Sequence, residues 1–189
     1  MTRAMMIDIS NVLRQTLACD LYSNLVTRPT GAAVRVQIEQ MLDQNTGDAE
    51  LTVIDFSHVP VIDFSCADEV IAKLLLRYAA DDPPQEAYFL FRGVSEDHWT
   101  AIEAVLERHE LAMVMERGDH VDVVGVVTEV ERRVWNVVTR LGGATPDDVA
   151  RDLEIDDQTV GRALDRLQRR RLAMRADDRY YAVGSPRVQ

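Results

Sequence analysis

The pentapeptide Val-Ile-Asp-Phe-Ser occurs twice, at 53–57 and 61–65, with only His58-Val59-Pro60 between the copies. That spacing leaves the chain little freedom. Leu51–Ile54 is a short, largely apolar run with β-branched residues, which predicts a buried strand ending at Asp55. Pro60 lies in the link between the copies, and the second copy leads into Ala67, Val70, Ile71, Leu74 and Leu75, an apolar face at helical spacing. The unit reads strand, tight turn, short extended piece, helix. Ser65 is placed to cap that helix, with Asp68 three residues on to complete a capping box. A helix start favours anions, so chemistry in the first half is sought at this corner.

Units of the same kind flank it. Met5–Ile9 reads as a short first strand, and residues 10–30 show mixed periodicity. Val34, Ile38 and Met41 mark an amphipathic helix over 32–42, which Asn45-Thr46-Gly47-Asp48 ends. After Asp81-Asp82-Pro83-Pro84, Ala87–Phe91 is an apolar strand. Ser95 then caps a helix with Trp99, Ile102 and Leu106 inside. Leu111–Val114 and Val121–Val124 are two further extended segments. Strands alternating with helices predict an α/β sandwich with a mixed sheet.

Charge divides the chain. Residues 129–189 hold 11 acidic and 12 basic side chains, all the basic ones arginine, whereas the first 128 residues hold 21 acidic and 9 basic. The first part repels nucleic acid and the second need not. The shift sets a boundary at 126/127. Beyond it, Thr128–Leu141 reads as a helix ended by Gly142-Gly143, and Thr145-Pro146-Asp147-Asp148 opens a short second helix. Asp157 is the predicted cap of a third helix to about Arg170, and 172–183 reads as strand, turn, strand. Three helices and a hairpin predict a winged helix-turn-helix over 127–189.

Two resemblances rest on these residues. Asp55-Phe56-Ser57, followed by Ile62-Asp63-Phe64-Ser65-Cys66 and a helix, resembles the core of STAS-like domains, the sulfate-transporter and anti-sigma-factor-antagonist group. Phe64 stands where that family has a serine and Cys66 where it has a glycine. The resemblance covers roughly residues 5–125 and implies a domain over 1–126. It puts Ser65 at the phosphoacceptor position, makes Asp55, Asp63 and Asp68 the edge of a switch, and implies a protein partner such as a histidine-kinase-like ATPase. The run from Thr145-Pro146 through Val149-Ala150, Leu153, Ile155, Thr159-Val160 and Ala163-Leu164 to Leu167 looks like the winged helices of bacterial transcriptional regulators.

In the third helix of the tail, Val160, Ala163, Leu164 and Leu167 take the inner face and leave Gln158, Thr159, Arg162, Arg166 and Arg169 outside. Gln158, Thr159 and Arg162 stand at the end that enters a major groove in this motif. Arg169, Arg170, Arg171, Arg175 and Arg179 suit phosphates from the helix end and the wing. The bland reading is a solvated face with cations at a helix C-terminus, and Asp156, Asp157, Asp165, Asp177 and Asp178 favour it. Ser65 likewise reads either as a cap or as a phosphate-bearing switch, since roughly −1.5 to −2 added charges beside Asp63, Asp68 and Glu69 would eject a docked partner.

A two-carboxylate hydrolase or metal site at Asp55 and Asp63 is the third reading, but no nucleophile–base set accompanies them. His58, His98, His109 and His120 are scattered, and there is no phosphate-binding glycine loop. No enzyme, metal or cofactor is therefore expected. Cys19 and Cys66 make no disulfide framework and read as small apolar residues. No run is long enough to span a bilayer and the N-terminus turns acidic too soon for a secretory signal, which predicts a cytoplasmic protein. The reading that joins these features is a regulator whose STAS-like domain senses or docks a partner and whose winged helix binds DNA, as a dimer. Its alternative is a protein-interaction adaptor in a partner-switching pathway, without DNA.

Overall fold

The computed structural model describes residues 4–17, 24–45 and 51–185. It is a mixed α/β fold with one five-stranded sheet. The strands are β1 (Ala4–Asp8), β2 (Leu51–Asp55), β3 (Tyr88–Arg92), β4 (Ala112–Arg117) and β5 (His120–Gly125), in sequence order across the sheet. β1 to β4 run parallel and β5 turns back antiparallel. Between them lie α1 (Ile9–Leu17), α2 (Arg28–Gln44), α3 (Phe64–Ala67), a π-helical stretch Asp68–Ala72, α4 (Lys73–Tyr78) and α5 (Glu96–Arg108).

Sequential order has a direct consequence. Parallel crossovers share one hand, so a sheet that always steps to the next neighbour receives every crossover helix on the same face. Register and burial agree. Ile7, Ile54, Phe91 and Met115 stand abreast and share a buried cluster with Val12, Val34, Ile38, Ile71, Leu74, Ile102 and Leu106 of the helices. The next row, Met6, Val53, Leu90, Val114 and Val123, points to the other face.

That other face is covered by the tail. It comprises α6 (Glu129–Arg140), α7 (Pro146–Leu153), α8 (Asp157–Arg169) and an antiparallel hairpin of β6 (Ala173–Ala176) and β7 (Arg179–Ala182). Val53, Leu90, Val114 and Val123 belong to one buried cluster with Val134, Trp135, Val138, Leu164, Leu167 and Leu172. Trp135 donates its indole N–H to the Leu172 carbonyl at 3.0 Å, so its polar edge is satisfied inside the core. A Cβ on Gly184 would stand 3.1 Å from side-chain carbons of Leu90 and Val121, which shows how closely the tail rests on the sheet. Only Met6, on edge strand β1, is left half-exposed in that row.

Local sequence sets most helix starts. Capping boxes form at Thr128/Glu131 and Thr145/Asp148, the latter with Pro146 in the first helical position. At Ser95 the returning side chain is His98. Two caps differ from expectation. α8 is capped by Asp156, whose carboxylate accepts the Thr159 N–H at 2.9 Å; Asp157 is already the first helical residue. α3 is capped by Asp63 rather than Ser65. The stretch 10–17, left unassigned by periodicity, is helical because Asp8 ends β1 and its carboxylate at once takes the N–H of Ser10 at 2.9 Å. Cys19 lies outside the described residues.

Candidate functional site

The repeated pentapeptide builds the carboxyl edge of the parallel strands, where ligands bind in open α/β sheets. Asp55 closes β2 and is buried; it accepts the Ser57 N–H at 2.9 Å, and one of its oxygens receives both Nε (2.9 Å) and Nη2 (2.7 Å) of Arg92. Burial works to raise this carboxyl, but the Ser57 bonds and the guanidinium outweigh it, and Asp55 stays below the usual carboxylate range. Gly93 has φ +67°, and a Cβ there would lie 2.4 Å from the Ser57 nitrogen, so this corner closes only with glycine. Beside it, between α5 and the β4–β5 turn, lies an open groove of about 630 Å³ with Trp99 and Met115 in its wall and the Arg117 guanidinium 5.7 Å over the Trp99 ring.

The second copy makes a different corner. Asp63 accepts the Cys66 N–H at 2.8 Å, the Thr27 N–H at 3.1 Å and the Ser65 hydroxyl at 3.0 Å. Burial pushes its carboxyl up and these donors more than offset that, leaving it lowered. The expected box between Ser65 and Asp68 does not form. The main chain is held extended through Asp63 by the N–H bond to the Leu25 carbonyl, so the helix opens at Phe64 and Ser65 is its second residue. Asp68 turns instead to Arg28 (2.7 Å) and His109 (2.7 Å). Cys66 donates its thiol to the Thr27 carbonyl; burial first, and the Asp63 charge second, push the thiol up to about 12, so it is a poor nucleophile. Asp55 and Asp63 are thus each committed to separate partners, and no three His, Cys, Asp or Glu residues among the described ones converge as metal ligands.

An ion network near this corner went unseen in the sequence. Glu69, buried on the π stretch, meets Arg28 (2.8 Å), Arg35 (3.4 Å) and Lys73; buried Glu39 meets Arg35 (2.8 Å) and Arg77 (2.7 Å). It fastens α2 to the π stretch where Gly31 brings the backbones together: a Cβ on Gly31 would stand 2.9 Å from Cys66 Cα. Most partners are 34 to 41 residues apart, so no local pattern announces them.

On the tail, Gln158, Arg162 and Arg169 stand exposed along α8 with no hydrogen bond or ion pair among the described residues, and Thr159 is half-buried. Arg133, on the polar side of α6, is likewise exposed and unpaired among the described residues; it was not singled out in the sequence. Arg166 is exposed but lies 3.8 Å from buried Glu131. Arg175 stacks over the Tyr180 ring at 5.6 Å and donates to the Asp177 carbonyl. Arg179 donates to the Gly143 carbonyl at 2.8 Å.

Arg170 departs from the place expected for a phosphate contact. Its Nη2 donates to the carbonyls of Val126 (2.6 Å) and Glu110 (3.3 Å), and Nη1 lies 3.7 Å from Glu131. Burial draws its guanidinium below the ordinary arginine value. Arg171 is turned inward too: Nε donates to the Tyr78 carbonyl at 3.1 Å, Nη1 meets Glu86 at 3.2 Å, and the guanidinium lies over Tyr88. The sequence assigns both to phosphates at the helix end and the wing, because helical periodicity stops where α8 ends and cannot say which way they turn.

Searches of protein-family models and of characterised proteins return no match to this chain. No helix among the described residues is long and apolar enough to cross a membrane.

Proposed function

We propose that the chain is a transcriptional regulator in which a STAS-like unit, residues 1–126, docks or senses a protein partner, and a winged helix, residues 127–189, binds double-stranded DNA. The observation that carries this reading is the outer face of α8. Arg162 and Arg169 project there without an acceptor among the described residues, beside Gln158, on a three-helix and hairpin unit. Two guanidinium groups on one helix face, neither hydrogen-bonded nor in an ion pair among the described residues, suit phosphates and guanine edges, although Arg162 also feels the charge of Asp156, the cap of the same helix. Gln158 and Arg162 serve base reading, while Arg169, Arg175 and Arg179 serve the backbone. Arg166, near Glu131, adds charge to the same side. The protein works as a homodimer, since one such module makes a short site. Asp55, Asp63, Asp68 and Ser65 belong to the partner-docking edge, with Ser65 as the modifiable switch. The protein is not an enzyme and acts in the cytoplasm.

A gel shift against genomic fragments at low and moderate salt tests this reading. Binding that weakens steeply with salt is expected; absence of any salt-sensitive shift sinks it. A second reading, an adaptor with no DNA, is favoured by Asp156, Asp157, Asp165, Asp177 and Asp178, all exposed in the same unit. A stable co-purifying partner whose binding is unchanged in Arg162→Ala would support it.

A further inference from the structure

Resting on the DNA reading above, we propose that Arg171, with Arg170, is a positioning residue. The pair bolts the C-terminal end of α8 to the acidic α/β unit, and so fixes where the reading end of α8 is held against that unit's negative charge.

Apart from Glu131 on α6, the acceptors that Arg171 and Arg170 reach, Tyr78, Glu86, Glu110 and Val126, precede the tail, as does the stacked ring of Tyr88. The backbone directs the contact. Arg171 N–H donates to the Gln168 carbonyl and Leu172 N–H to the Leu167 carbonyl, both at 2.9 Å, with Arg171 at φ +59°. That is the Schellman ending of a helix, whose left-handed position is ordinarily glycine. An arginine held there is explained by what its side chain grips.

The bolt also fixes direction. Gln158, twelve residues back from Arg170, stands about 18 Å from the bolted end along the helix axis. The Debye length is about 8 Å at physiological salt. Repulsion from the 21 acidic side chains of the first 128 residues, against 9 basic, is therefore largely screened at the reading end. It would be less screened if α8, no longer held at that end, tilted within the docked tail and brought the phosphates closer to that unit. Arg166 sits at the join, sharing Glu131 with Arg170.

The test uses the full chain as wild type, Arg171→Ala, Glu86→Gln and Arg169→Ala. The first arm is thermolysin cleavage at the Val126–Thr128 connector, with circular dichroism to show that folding is intact. Cleavage is expected to quicken roughly tenfold in Arg171→Ala, as for a lost contact of ordinary size, and less in Glu86→Gln. An unchanged rate in both overturns the proposal. Glu86→Gln alters one exposed side chain, so it decides this arm if Arg171→Ala fails to fold. The second arm measures affinity for a mixed-sequence duplex against salt. Arg171→Ala is expected to weaken binding several-fold with the salt slope unchanged, whereas Arg169→Ala flattens the slope by about 0.9. A slope lowered equally by Arg171→Ala makes Arg171 a phosphate contact and overturns the proposal, with the DNA reading left standing. Wild-type-like affinity in Arg171→Ala overturns it too. If the wild type binds no duplex at any salt, the DNA reading itself has failed.

Discussion

Asp55 and Arg92 face each other in register across β2 and β3, and two nitrogens of Arg92 converge on a single oxygen of Asp55. The carboxylate is buried while the guanidinium is partly in solvent, so the pair is an anchor for a charge the fold has already desolvated. Arg92→Met is expected to destabilise by about 1–3 kcal/mol, because Ser57 alone then holds the buried carboxylate. Urea unfolding measures this; an unchanged midpoint would show that solvent satisfies Asp55 unaided.

Acid should unfold the protein. Asp55, Asp63, Asp68 and Glu69 are all held below their ordinary values: burial opposes each, and hydrogen-bond donors outweigh it, joined by cations at all but Asp63. A carboxylate lowered in the folded state contributes stability above its unfolded pKa, about 3.9 for Asp and 4.3 for Glu, and loses it as pH falls toward the folded value. The urea midpoint is expected to vary little with these groups near neutrality and to drop below roughly pH 5. Asp68→Asn should lower the midpoint at pH 7 and make the acid decline shallower. A midpoint that rises on acidification contradicts the assignment.

The α/β unit and the tail should melt together. Trp99 and Trp135 report on the two parts separately, since one lies on α5 and the other on α6. In single-tryptophan variants, Trp99→Phe and Trp135→Phe, the two urea transitions are expected to share a midpoint. Leu90→Ala removes a side chain beneath the tail, is expected to cost about 2–5 kcal/mol, and should move both midpoints alike. Two separated transitions would mean that the shared cluster does not couple the parts.

Helix endings offer a contrast. α7 ends with Glu154 at φ +53°, α8 with Arg171 at φ +59°. A left-handed non-glycine residue costs roughly 1–2 kcal/mol and glycine gives back about 0.5–1 through chain entropy. Glu154 is exposed, with no ion pair among the described residues, so Glu154→Gly should stabilise by about 0.5–1 kcal/mol. Arg171→Gly makes the same backbone gain but loses the Tyr78, Glu86 and Tyr88 contacts, and is expected to show no net gain. Paired thermal melts compare the two directly.

The tail was legible because its instructions are local. Thr145, Pro146 and Asp148 state a helix start within four residues, and the inner faces repeat at helical spacing. The five strands were legible as apolar runs. The cap at Asp63 was not: Asp63 and Ser65 are both good caps, and a bond to Leu25, far off in sequence, chooses between them. The Glu69 and Glu39 network and the inward turn of Arg170 and Arg171 have the same character. Their partners come from elements whose adjacency exists only after the sheet has ordered them.

Strand order also sets a hazard during synthesis. The α/β portion leaves the ribosome first, and its row Val53, Leu90, Val114 and Val123 is not fully covered until the whole tail, α6 through the hairpin, has followed. At about 5–20 residues per second, some sixty further residues take several seconds. A nascent chain stalled in that interval, or one released by a premature stop codon after β5, would carry a naked apolar sheet face: a substrate for chaperones or a seed for aggregation.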